Sequence, residues 1–94
     1  MLYMVTARFK PGMEAQHAAL AGEFGQHMRQ PLLKIRLVGA LQDEQGARIG
    51  VLLMMEADDR AQLDHFLEQS PYARERLYQS TEVDVLQIEA GGLK

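Results

Sequence analysis

Arg48-Ile49-Gly50-Val51-Leu52-Leu53-Met54-Met55-Glu56-Ala57 decides the fold of this chain. A strand sends successive side chains to opposite faces. Here both sets are apolar: Ile49, Val51, Leu53 and Met55 point one way, Leu52 and Met54 the other. Such a segment reads as a central strand covered on both sides. Just before it, Gln42-Asp43-Glu44-Gln45-Gly46-Ala47 is polar and holds a glycine. That suits a hairpin loop, which makes Lys34 to Leu41 (KIRLVGAL) an antiparallel neighbour.

Leu2 to Phe9 (LYMVTARF) reads as another strand, broken by Pro11-Gly12. Its Tyr3, Val5, Ala7 and Phe9 share one face. From Met13 to Met28 the spacing turns helical, with Met13, His17, Leu20, Phe24 and Met28 on one stripe. Pro31 then ends the helix or starts a short coil. Asp58-Asp59 begins a second helix, with Leu63, Phe66 and Leu67 as its apolar face. Ser70-Pro71 looks like a fresh N-cap, followed by a short turn through Tyr78. Thr81 to Ala90 (TEVDVLQIEA) is the last strand, closed by Gly91-Gly92.

The order β-α-β-β-α-β predicts a single α+β domain over 1–94, with a ferredoxin-like four-stranded antiparallel sheet and two helices on one face. Two helices shield only one face, yet the strand at 48–57 is apolar on both. The bare face then calls for a second copy of the chain, so a homodimer is expected.

Composition narrows the function classes. Ninety-four residues bury roughly two-thirds of the surface of the unfolded chain, enough for one thin core. Ten Lys and Arg against thirteen Asp and Glu speak against a nucleic-acid binder working through a basic patch. With no cysteine there are no disulfides, thiolate metal sites or thiol nucleophiles. No apolar run approaches the ~18 residues of a membrane span. The N-terminal residues lack a signal-peptide pattern, and a cytoplasmic location is the expectation.

Among residues that could carry chemistry, His17 stands out. It interrupts an apolar stripe, and an imidazole titrates near neutrality. Spacing alone also allows a core histidine bonded to a strand residue. His65 points to solvent, and His27 could cap the end of its helix. No histidine or carboxylate cluster has ligand spacing, so no metal is expected. Arg36 and Asp84 interrupt strands: Arg36 could bind an anionic substrate, Asp84 could orient His17, or both could simply face solvent. Tyr72 and Tyr78, flanking the turn after Ser70-Pro71, could line a substrate pocket or finish the core. P-loop, GxGxxG and GxSxG motifs are absent, and an enzyme here would use acid–base chemistry without an organic cofactor.

Several short motifs, in order, resemble the YCII-related (YciI-like) family. They are Ala7-Arg8-Phe9-Lys10-Pro11-Gly12, the helical His17, Val38-Gly39-Ala40-Leu41, Gly50-Val51-Leu52-Leu53, Asp58-Asp59, and Ser70-Pro71-Tyr72 before Leu77-Tyr78. Ser70 stands where the family's Asp-Pro-Tyr has aspartate. The resemblance implies a ferredoxin-like fold of the dimeric α+β barrel group. It also implies kinship with enzymes that remove chloride from chlorinated hydroquinones, with a histidine–aspartate pair as acid–base machinery. The histidine carries over to His17; Asp84 is a geometric substitute for the acid. Elimination or isomerisation of a small aromatic or carbonyl compound is the expected activity. A non-catalytic dimeric module binding a small molecule or a protein is the alternative.

Overall fold

The computed structural model describes residues 1–30 and 33–92. Pro31, read above as a helix end, lies outside them. The elements are β1 (Leu2–Phe9), α1 (Glu14–Met28), β2 (Lys34–Gln42), β3 (Arg48–Glu56), α2 (Arg60–Glu68), α3 (Pro71–Arg74) and β4 (Tyr78–Val85). The strands form one antiparallel sheet in the order β2-β3-β1-β4. This is the ferredoxin-like α+β arrangement expected from the element order.

Register decides what each face holds. In the centre, Tyr3, Val5 and Ala7 of β1 sit opposite Met55, Leu53 and Val51 of β3. All six are buried beneath the helices, where Phe24, Leu63, Phe66 and Tyr72 complete the core. The stripe on α1 packs as its spacing predicts, with Met13, Leu20 and Met28 at the margin of that core. Gly50, opposite Arg8, cannot carry a side chain, because a Cβ there would overlap the Ala7 carbonyl oxygen.

Two of the helices begin at side-chain caps. Asp59 caps α2 by accepting the Gln62 N–H at 2.8 Å. Ser70 caps α3 by accepting the Ala73 N–H at 3.3 Å, with Pro71 in the first helical position. One boundary differs from the sequence reading. Arg76 reverses the chain at φ 58°, so Tyr78 opens β4 rather than closing a turn. The strand then stops at Val85 instead of Ala90. Its ladder needs β1 as partner, and β1 runs out at Leu2, whose carbonyl takes the Leu86 N–H at 2.9 Å.

The other sheet face carries no helix among the described residues. Met4, Leu37, Leu41, Leu52 and Met54 lie on it by register. Leu37 is exposed although apolar, and the β2 register shifts beside it, between Ile35 and Leu37. No helix among the described residues is long and apolar enough to cross a membrane.

Candidate active site

Between the helices and the sheet lies a cavity of about 270 Å³. Val5, Ala7, Val51, Leu53 and Val83 form its floor, all from the helix-side face of the sheet. Phe24, Met28 and Leu67 wall it. The polar groups that reach it come from α2 and from the α3–β4 region. Arg60 and Asp64, one helical turn apart, form an ion pair at 2.8 Å, and Glu68 follows one turn later. Ser70 and Tyr78 line the cavity as well. An apolar pocket with a few convergent polar groups is the usual form of a small-molecule site.

Tyr78 is held in place by aromatic packing. Its ring stacks near Phe9, centroids 5.6 Å apart, and meets the edge of Tyr72 at 6.0 Å. Burial pushes its phenol well above the ordinary tyrosine range, opposed in part by the nearby Ser70 hydroxyl and by the Arg48 charge. Burial raises Tyr72 too, and again Arg48 opposes it. The Arg48 Nε atom is itself buried without a partner among the described residues.

The four residues expected to form a site are not brought together. His17 is buried on α1, its ring stacked on Phe9 at 4.1 Å and 12°. Phe9 therefore packs against both His17 and Tyr78, and His17 is not among the cavity's lining residues. Asp84 is opposite Met4 on the open face of the sheet, while His17 packs on the helix side. Strand parity alone separates them: Val83 and Val85 face the helices, so Asp84 faces away. Asp84 does not orient His17. Arg36 is on the open face as well, donating to Glu56 at 2.9 Å, with Lys34 at 3.6 Å from the same carboxylate. Those two cations hold Glu56 below the usual carboxylate range. Tyr72 is fully buried, stacked on Phe24 at 4.5 Å, and its hydroxyl donates to the His17 carbonyl at 3.4 Å. Its place is the core rather than the cavity wall.

The other histidines divide cleanly. His65 is exposed as expected. His27 is buried, with Nε2 donating to the Phe66 carbonyl at 2.8 Å and its ring stacked on Phe66 at 4.3 Å. It ties α1 to α2. Among the described residues no three His, Asp or Glu side chains gather closely enough to hold a metal ion. Arg60, Asp64 and Glu68 went unmarked in the sequence reading, whereas Tyr78, named with Tyr72 as a possible pocket residue, does line the cavity. Arg60 and Asp64 have the spacing of an ordinary surface pair, and nothing local shows that their helix face borders a cavity.

Solved structures share this fold. Over 93% of this chain and 94% of the other, the chain superposes with a TM-score of 0.84 on 5-chloro-2-hydroxyhydroquinone dehydrochlorinase (TftG) from Burkholderia phenoliruptrix AC1100, in complex with 2,5-dihydroxybenzoquinone, at 20% sequence identity. An antibiotic biosynthesis monooxygenase is similar over 96% of this chain and 100% of its own, at 19% identity and a TM-score of 0.60. Likeness at these identities shows a common fold. No curated protein sequence matches. The model of the YCII-related domain spans residues 1–87, the whole βαββαβ unit just described, and the chain belongs to that family.

Proposed function

We propose that the protein binds a small aromatic or carbonyl-containing molecule in the cavity between helices and sheet, and catalyses an acid–base elimination on it. The cavity carries the reading. A void of about 150 Å³ holds a benzene molecule. The cavity here, about 270 Å³, leaves room for one ring with a few small substituents. Loss of hydrogen chloride from a chlorinated hydroquinone is the reaction this reading favours, in keeping with the fold shared with a dehydrochlorinase. The chlorine-bearing ring carbon first gains a proton as one hydroxyl loses its own and becomes a carbonyl; a base then takes a second hydroxyl proton, the freed pair is relayed through the ring into new double bonds, and chloride leaves with the carbon–chlorine pair. The balance needs no other reactant.

Proton transfer then falls to groups at the cavity. Glu68 is a carboxylate there that makes no ion pair among the described residues, whereas Asp64 is held by Arg60. His17, beyond Phe9, enters the reading as a group whose role the same assay decides. The experiment is NMR titration with 2,5-dihydroxybenzoquinone, followed by chloride release from 5-chloro-2-hydroxyhydroquinone. Binding should perturb Val83, Ala73 and Tyr78, and Val83→Phe should abolish it by filling the space. Glu68→Gln should stop chloride release while binding persists. Perturbation confined to residues outside the cavity would refute the reading, and loss of turnover in His17→Ala but not Glu68→Gln would return the proton transfer to His17.

The open sheet face is the place for a second copy of the chain. Its β2 edge carries Lys34 and Arg36 around one carboxylate, Glu56. The opposite edge, β4, carries Glu82 and Asp84, which make no ion pair among the described residues. A two-fold axis along the strands sets the basic edge of one copy against the acidic edge of the other. Met4, Leu52 and Met54 would meet between them.

A further inference from the structure

The geometry points to Tyr78 as the residue that selects the cavity's ligand: its hydroxyl donates a hydrogen bond into the cavity, to a carbonyl or other acceptor oxygen on the bound ring. This inference rests on the cavity being the ligand site, as proposed above. It adds the feature by which one ring is told from another.

A process of assignment leads there. The chain has three tyrosines, and each hydroxyl has one proton to give. Tyr3 donates to the Met1 sulfur, and Tyr72 to the His17 carbonyl. Among the described residues no protein acceptor takes the Tyr78 proton. Its nearest polar neighbour is Ser70. The Ser70 oxygen already accepts the Ala73 N–H as the cap of α3. Both side chains line the cavity, so the Tyr78 proton is available to an acceptor placed there. Phe9 and Tyr72 fix the ring, so the hydroxyl is held in one place before a ligand arrives. Burial keeps it protonated beyond the ordinary tyrosine range, and the nearby Arg48 charge makes it a stronger donor. Val5, Val51, Leu53 and Val83 make the wall apolar, and the cavity's other donors are Arg60, already paired with Asp64, and the Ser70 and Thr81 hydroxyls. A site built this way favours a ring with an acceptor oxygen over an equally shaped hydrocarbon.

Acetophenone and α-methylstyrene test this, because they differ only in a carbonyl oxygen replaced by a methylene. Dissociation constants for both are measured by NMR titration on the wild-type protein and on Tyr78→Phe. The variant should weaken acetophenone about five- to tenfold, the loss of one hydrogen bond, and leave α-methylstyrene unchanged. In the wild type, the Tyr78 Cζ resonance should move with acetophenone and stay still with α-methylstyrene, which keeps the test open if the variant does not fold. If both compounds bind in the cavity but Tyr78→Phe treats them alike, or the Cζ resonance ignores the ketone, Tyr78 is not the selector and the cavity reading stands. If neither compound perturbs the cavity residues, both readings fall.

Discussion

His27 and His17 are both buried on the same helix, yet they differ in what they are bonded to. The His27 ring supplies a donor to the Phe66 carbonyl and a stacking surface to the Phe66 ring. The His17 ring only stacks, on Phe9. His27→Ala should therefore cost about 1–3 kcal/mol, including the unpaired Phe66 carbonyl it leaves, and His17→Ala should cost less. Urea denaturation of the two variants checks the order; equal losses would mean that the His17 ring is hydrogen-bonded as well. Tyr78 makes a prediction about pH. Its phenol is raised above the ordinary value of 10.0, so the folded state holds its proton more tightly than the unfolded state does. Stability tied to that proton is complete below pH ~10 and is lost as the pH rises beyond it. The melting temperature of the wild type should fall more steeply above pH ~10 than that of Tyr78→Phe, and parallel curves would show the phenol to be accessible to water.

At the scale of elements, β3 is the strand on which the rest is assembled. It pairs with both β1 and β2, and Val51, Leu53 and Met55 are at most 2% exposed. Leu53→Asp places a carboxylate opposite Val5, with no partner and no water, at a cost of several kcal/mol. The variant should be unfolded or insoluble; circular dichroism showing an unchanged melting temperature would contradict the position of β3. The ends of β4 show how far an element can be read locally. Alternation through Val83, Val85 and Leu86–Ala90 permits a longer strand, but a strand lasts only as long as its neighbour. Tyr78 joins β4 because Phe9 is opposite it, and nothing in the local sequence announces that pairing.

On the scale of the whole molecule, the open sheet face sets the strongest expectation. Light scattering at micromolar concentration should give twice the chain mass. Leu37→Glu, at an exposed apolar position on the β2 edge of that face, should shift the protein toward the monomer without lowering its melting temperature as a core variant would. A wild-type monomer would mean that Met4, Leu52 and Met54 face another partner or solvent.

The order of elements, the central place of β3, the caps at Asp59 and Ser70 and the apolar stripe of α1 were all legible in the sequence. Each follows from a period of two or 3.6 residues, or from a side chain bonding its own backbone, and such signals are local. Family membership was legible too, through short motifs in fixed order. The candidate site was not. His17, Asp84, Arg36 and Tyr72 looked like one constellation because a linear chain does not show which residues share a face in three dimensions. Strand parity and the register of β4 put Asp84 on the far side of the sheet, and parity with Lys34, opposite Glu56, put Arg36 there too. Packing then sealed Tyr72 into the core and left Tyr78 at the cavity, a choice made by contacts between Phe9, Tyr72 and β4 that only the folded chain brings within reach.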